Sequence, residues 1–304
     1  MAVDLPDEGV PDPRPSDPGA ARSPRPTPTS FDAVAYLSQS LDAGGADDGV
    51  ACGFPSVDAL LGGGFRRGDV VVIGGDTGCG KSALALGMAL RVAETGGAVA
   101  FFSGELSADR LTERALAIQG RVRIDELRHA RLDEAQHASV AAAALRLREH
   151  PPMLSHLPPN GVSGLSDLLI EYLGLDLVVV DPLQSMATGR LAMEEELAQA
   201  VRDLKGLAVR RNCVVLLVSH LAHPVRGRPD PRPRLDDFGA MGAVRQIADA
   251  VLGVYREEMY DAANDVDGAA EVHVLKHRGG ATGYADLYFY KKWLRFEDMV
   301  EPDR

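Results

Sequence analysis

This 304-residue chain lacks several things. It has no run of about 18 consecutive apolar residues, so no membrane-spanning helix is expected. Its N-terminus is acidic and proline-rich, without the basic start and apolar middle of a secretory signal. A cytoplasmic protein is the expectation. There are only three cysteines, Cys52, Cys79 and Cys213. An odd, scattered set is neither a disulfide framework nor a metal-ligand spacing. No excess of positive charge exists either: the net charge is −12, which as a whole argues against a nucleic-acid binder. That charge is unevenly placed. Residues 1–50 hold nine acidic and three basic side chains, giving −6, and the remainder holds 35 acidic and 29 basic, again −6. The body is therefore mildly acidic, and a local basic groove is compatible with it. No internal repeat is visible.

What is present begins with a 45% apolar content, enough for a real core. Residues 1–30 carry eight prolines among polar residues. Such a segment buries too little apolar surface to offset its ordering entropy. Residues 1–49 read as a disordered acidic tail and linker, interrupted at 31–41 by FDAVAYLSQSL. There Phe31, Val34, Ala35 and Leu41 recur near helical spacing. A folded domain is expected over 50–298, with a short tail at 299–304.

Within the body, apolar strands alternate with helical segments. Strands are predicted at 69–75, 98–104, 176–181 and 213–220, with a short one in PMLSHL. Helices are predicted at 80–94, 107–119, 133–149, 164–173 and 193–211, with a short one at 240–247. Strands that are apolar throughout, separated by helices, imply a mainly parallel α/β sheet covered on both faces. Closely spaced strands at 249–256, 271–277 and 283–290 imply an antiparallel extension.

The stretch GGDTGCGKSALALG (74–87) follows a strand and opens a helix. Gly75-x-x-x-x-Gly80-Lys81-Ser82 matches the pattern G-x-x-x-x-G-K-[ST], the Walker A phosphate loop of P-loop NTPases. Its glycines let the backbone curl until N–H groups face an anion, and the helix N-terminus adds its dipole. The predicted cradle runs from Gly75 through Asp76, Thr77, Gly78, Cys79 and Gly80 to Lys81, Ser82 and Ala83. Lys81 supplies a mobile cation for the β- and γ-phosphates, and Ser82 a hydroxyl for Mg²⁺. ATP and Mg²⁺ are the expected cofactors. Cys79 sits beside Lys81 and the helix N-terminus, both of which lower a thiol pKa. A redox-sensing thiol and a small tolerated side chain are both open for it.

Three further residues fall at strand tips, the ligand edge of an open α/β sheet. DLVVVDPLQ ends in Asp181, placed to hold a Mg²⁺ shell beside a Walker A loop. FFSGELS puts Glu105 where a carboxylate orients and deprotonates water, or where it serves as a first-turn helix acid. VVLLVSH ends in His220, a γ-phosphate contact or a packing histidine. The loop HPVRGRPDPRPRL carries Arg226, Arg228, Arg232 and Arg234 on a proline-stiffened backbone. It suits contact with single-strand phosphates, or is simply solvated. Phe238 is its one neighbouring aromatic for base stacking.

Taken in order, CGFPSVDALLGGGFRRGD, TGCGKSALALGMAL, FFSGELSADRLTERALA, DLVVVDPLQ, VSHLAHP, GAVRQIADAVLGVYREE and VLKHRGGATG resemble the ATPase domain of replicative DNA helicases of the DnaB type. VSHLAHP and GAVRQIAD also resemble the helicase half of phage primase–helicases and their mitochondrial relatives. The resemblance covers about residues 50–298. It implies a RecA-like fold, a hexameric ring and ATP bound between subunits. It implies Glu105 as catalytic carboxylate, Asp181 as Mg²⁺ residue and His220 as γ-phosphate sensor. Lys276 and Arg278 would reach the neighbour's γ-phosphate. As a bare sequence, KHR at a strand end is an ordinary basic patch.

The chain departs from the family pattern in three places. About fifty proline-rich residues stand where full-length bacterial members carry a helical N-terminal domain. The DNA-facing loop, typically D-L-R-x-S-G, reads Asp237-Phe238-Gly239-Ala240-Met241-Gly242, which keeps Gly242 and loses the arginine. Pro182 replaces the tyrosine common after the Walker B aspartate. The leading expectation is an ATP-driven ring helicase on single-stranded DNA. The rivals are a RecA-like ATPase of the clock or repair-adaptor type that does not unwind, and a nucleotide-dependent scaffold.

Overall fold

The computed structural model describes residues 49–172, 174–260 and 267–299. The predicted tail, the helix at 31–41 and residues 300–304 lie outside the described residues. In chain order the elements are β1 (Gly49–Val50), α1 (Pro55–Leu60), β2 (Phe65–Arg66), β3 (Val70–Gly75), α2 (Lys81–Glu94), β4 (Val99–Ser103), α3 (Ala108–Gly120), α4 (Ile124–Arg128) and α5 (Glu134–Glu149). There follow β5 (Met153–His156), α6 (Gly161–Leu168), β6 (Leu177–Asp181), α7 (Met193–Arg211), β7 (Val214–His220), α8 (Ala243–Ile247), β8 (Ala250–Tyr255), β9 (Ala269–His277), β10 (Gly283–Tyr290) and β11 (Arg295–Asp298).

The main sheet runs β11-β10-β9-β8-β3-β7-β6-β4-β5. From β8 to β5 every pairing is parallel, and from β8 outward to β11 every pairing is antiparallel. This is the architecture the sequence implies. The parallel strands are apolar because both faces are covered. Val71, Ile73 and Phe101 enter one core with α2, while Val70, Val72 and Phe102 enter the other with α6, α7 and α8.

Helix starts follow local chemistry. Ser107 caps α3 by accepting the Arg110 N–H, and Asp133 with Gln136 forms a reciprocal capping box on α5. Five elements are absent from the sequence reading: α1, the two short strands β1 and β2, α4 and β11. The helix predicted at 164–173 instead starts at Gly161, after Asn160 in the left-handed region (φ 70°), and gives way to a 3-10 turn at Leu169–Glu171. The segment predicted as one helix at 240–247 divides into a 3-10 turn, Ala240–Gly242, and α8.

The C-terminal tips of β3, β4, β6 and β7 lie side by side, because Gly75 pairs with His220 and Ser103 with Asp181 in parallel register. The topology thus gathers Gly75, Glu105, Asp181 and His220 at one edge of the sheet.

Candidate active site

The loop between β3 and α2 needs glycine at two positions. Gly78 and Gly80 adopt φ of 85° and 103°, a region that costs an L side chain dearly. Gly80 is also tightly packed: a Cβ there would lie 2.9 Å from the Phe296 ring of β11. Lys81 opens α2, and its ammonium donates to the carbonyls of Gly75 and Asp76, each at 3.0 Å. The Arg256 guanidinium donates to the Gly78 carbonyl at 3.2 Å and supports the loop from the end of β8.

Ser82 donates its hydroxyl to Asp181 Oδ1 at 3.0 Å. Asp181 is buried. Burial pushes its carboxyl up to about 6; the Ser82 hydrogen bond pulls it down, and the nearby Glu105 pushes it up again. A buried carboxylate with one hydroxyl donor and too little solvation is a donor set that fits Mg²⁺, which uses few protein oxygens and keeps its waters. Among the described residues no cluster of three or more His, Cys, Asp or Glu offers an all-protein cage.

Glu105 stands on a bend, not in a helix turn. The buried Ser103 hydroxyl accepts the N–H groups of Glu105 and Leu106 at 3.2 and 3.0 Å. Gly104 donates to the Asp181 carbonyl at 2.9 Å. The helix-acid alternative therefore fails on geometry, since Glu105 precedes the Ser107 cap. Its side chain is 59% exposed and faces His220, with Nε2 to Oε1 at 4.0 Å. Burial, then Lys81, lowers the His220 pKa, against the pull of Glu105. The net direction favours the neutral imidazole. Gln184 ties this edge together by accepting the His220 N–H at 3.1 Å and donating to Ser219 Oγ at 3.3 Å.

Lys81, Ser82, Glu105 and His220 line one cleft of about 420 Å³, joined by Arg114 and Lys291. The latter two, with Arg256, were missed from the sequence. Nothing in their spacing marks them: Arg114 lies inside α3 and Lys291 follows β10. Burial lowers the Arg114 pKa, while Asp181 and then Glu105 among its neighbours raise it. Arg114 thus adds positive charge near the two carboxylates.

Cys79 differs from the redox alternative. It is fully buried, and burial raises its thiol pKa despite the pull of Lys81. Its Sγ packs close to Gly75, where a Cβ would lie 2.7 Å from it. The helix terminus and lysine do not outweigh the loss of water.

The basic loop also differs from its expectation. Leu221 and Phe238 close it with a bridge. Arg228 makes a two-pronged pair with the buried Asp237, at 2.7 and 2.9 Å. Arg232 does the same with Glu271, at 2.8 and 2.7 Å, and stacks on the Tyr255 ring. Both guanidiniums are committed to holding the loop together. Arg226 bonds Asp76 of the phosphate loop at 2.7 Å while remaining 62% exposed. Arg234 is exposed and approaches Asp230 at 3.9 Å. Phe238 is buried, which removes it as a base-stacking platform. Gly242 takes φ 76° at the start of α8.

Lys276 and Arg278 lie far from this cleft. Lys276 pairs with Val251 at the beginning of β8, which runs parallel to β3. The phosphate loop leaves the other end of β3 at Gly75, about 10 Å beyond Val72, the residue level with Val251, at ~3.3 Å per residue.

Comparison with known proteins identifies the family of the chain. The DnaB-like helicase C-terminal domain matches residues 49–298. The chain is 30% identical over 258 residues to the replicative DNA helicase DnaC of Bacillus subtilis, covering 83% of this chain and 57% of that one. Replicative DNA helicase DnaB of Geobacillus stearothermophilus matches equally, at 30% over 258 residues and the same shares. The chain thus spans little more than half the length of these relatives. Among solved structures, an isolated ATPase domain superposes with a TM-score of 0.79 at 25% identity, covering 88% of this chain and 97% of that one. A DnaB-like replicative helicase described with its primase interactions gives 0.78 at 25% identity, covering 88% and 65%. The chain belongs to the DnaB-like helicase C-terminal domain family.

Proposed function

We propose that this chain is the ATP-hydrolysing unit of a ring-shaped motor that moves on single-stranded DNA. One observation carries the reading: Ser82, which donates to the buried Asp181, lines the same cleft as Lys81, Glu105 and His220. Lys81 holds the β- and γ-phosphates, and the loop from Gly75 to Ala83 cradles them. Ser82 and Asp181 would hold Mg²⁺, which would offset phosphate charge when bound. Glu105 orients water and accepts its proton. Neutral His220 donates to the γ-phosphate, and its backbone contact with Gln184 relays the position of β7.

Lys276 and Arg278 sit at the opposite end of β3 and have no path to their own cleft. In a head-to-tail ring that end faces a neighbour. There the guanidinium neutralises charge on the transferring phosphoryl. A homo-oligomer, hexameric as the resemblance implies, follows from this split site.

DNA is the proposed track. The matched relatives bear the name replicative DNA helicase. Arg226 and Arg234 are the exposed cations of the loop for phosphate contact, while Arg228 and Arg232 shape it. Gly242 belongs to the facing turn. The non-unwinding adaptor reading remains the rival, favoured by one observation: Phe238 is buried rather than presented to bases.

The test is steady-state ATP hydrolysis with and without single-stranded DNA at two salt concentrations. Stimulation that weakens with salt is expected. Turnover indifferent to DNA would hand the lead to the adaptor reading.

A further inference from the structure

Helix α8 has only five residues, Ala243–Ile247. A helix so short has no stability of its own, so its two ends must be held from outside. At its start lies an unusual turn: Ala240, Met241 and Gly242 adopt φ of 59°, 50° and 76° in succession. Two of these are non-glycine residues in the left-handed region, a costly arrangement that persists only under constraint. Glu194 of α7 supplies a constraint by accepting the Met241 N–H at 3.1 Å. Met241 itself is 69% exposed. This is the turn that aligns with the family's DNA-facing loop.

At its other end, α8 presents carbonyls to the proposed trans-acting cations. Lys276 Nζ donates to the carbonyls of Arg245 at 2.7 Å, Gln246 at 3.3 Å and Ala248 at 2.6 Å. Arg278 donates to Gln246 at 2.8 Å and Ile247 at 3.3 Å. The Arg278 N–H bonds the Asp249 carbonyl at 2.8 Å, and its Nε lies 3.7 Å from the Asp249 carboxylate. Asp249 is buried and locked by Lys205 of α7 at 2.6 Å and by the Val70 N–H at 2.8 Å. Cations at the carbonyl end of a helix satisfy its orphan acceptors and its dipole.

We propose that the carbonyl end of α8 is a resting cradle for Lys276 and Arg278, and that the phosphate of a neighbour's nucleotide competes with it. Filling the neighbouring site then withdraws the cap from α8, the helix that directly follows the 239–242 turn. The inference rests on the cross-subunit reading of these two residues. It joins nucleotide in one subunit to the DNA-facing turn of the next through a single short helix. Asp249 is the positioning residue: it keeps the base of the cradle fixed while the two side chains exchange partners.

The test is amide hydrogen exchange on the full chain, read on peptides covering 243–248, with and without a non-hydrolysable ATP analogue. With the analogue, exchange there is expected to accelerate by about two- to thirtyfold, the range for losing cations from a helix C-terminus. Lys276→Ala/Arg278→Ala should exchange at the fast rate from the outset and ignore the analogue. Slow exchange in that double variant would overturn the cradle. Protection of 75–83 by the analogue without any change at 243–248 would overturn the competition. Acceleration that persisted in Lys81→Ala would also overturn it, because that variant has lost its phosphate ligand. A fast double variant combined with an unresponsive wild type would locate the failure in the cross-subunit reading, with the cap contact itself intact.

Discussion

The ring of Phe238 lies directly on Gly74, so that a Cβ on Gly74 would stand 2.2 Å from the ring. The contact joins the strand that launches the phosphate loop to the turn that follows the basic loop. It also explains why Phe238 is buried when its neighbour Met241 is not. Overpacking this contact with Gly74→Ala should cost about 1–3 kcal/mol of stability. Chemical denaturation would read the cost directly. Phe238→Leu combined with Gly74→Ala should recover part of it, whereas independent, additive losses would mean the two do not couple.

The cleft separates binding from chemistry. Lys81→Ala should abolish tight ATP binding, since among the described residues no other ammonium bonds both the Gly75 and Asp76 carbonyls. Glu105→Gln should retain binding and lower turnover by about 10²–10⁴-fold, the range for removing a general base. Equilibrium binding and steady-state hydrolysis on the same preparations distinguish the two. Normal turnover in Glu105→Gln would move the base elsewhere.

Asp181 predicts a pH dependence. Burial raises its folded pKa to about 6, above the ordinary carboxylate range. An acid raised in the fold favours the protonated folded form. Its stabilising contribution is present at low pH and is lost as pH rises through about 6. Asp181→Asn should therefore gain stability relative to the wild type toward about pH 8 in the absence of nucleotide. The metal–nucleotide complex needs the ionised carboxylate, so its affinity for the wild type should fall as pH drops through about 6. Thermal unfolding and nucleotide titration across that range check both signs.

Burial predicts silent thiols. Cys52, Cys79 and Cys213 are all buried, and burial raises the pKa of each. A colorimetric thiol reagent should find them unreactive in the native protein and release three equivalents only on unfolding. Fast labelling of Cys79 in the native state would restore the redox-sensing alternative.

The difference between what the sequence revealed and what it hid follows the range of the interactions. The phosphate loop, Glu105, Asp181 and His220 were legible because each is fixed by local pattern: a glycine spacing, or a position at the tip of an apolar strand. The parallel sheet was legible for the same reason, in unbroken apolar runs. Strand β11 was not, because Arg295–Asp298 is short and carries charge at three of its four positions; it exists through pairing with β10 and through the stacking of Phe296 on Phe289 at 4.4 Å. The arginine loop misled in a related way. Composition records four positive charges, but Asp237 and Glu271, which neutralise two of them, come from a turn and a distant strand. Arg114 and Arg256 reach the cleft only through tertiary packing.

A split active site predicts complementation between dead subunits. Lys81→Ala removes the phosphate ligand from one face of a subunit, and Arg278→Ala removes the cation from the other. Each variant alone should be inactive in turnover. In a head-to-tail ring of randomly mixed subunits, about a quarter of the interfaces would pair an intact loop with an intact Arg278. Mixing equal amounts should therefore restore roughly that share of wild-type hydrolysis if interfaces act independently, and less if they fire in concert. A cis-acting Arg278 gives a different result, because every subunit in the mixture then lacks one of its own two groups and no combination recovers activity. The distance along β3 favours the first outcome: Lys81 follows one end of the strand, and Lys276 and Arg278 lie toward the other, so on the proposed reading a second copy of the chain closes the gap.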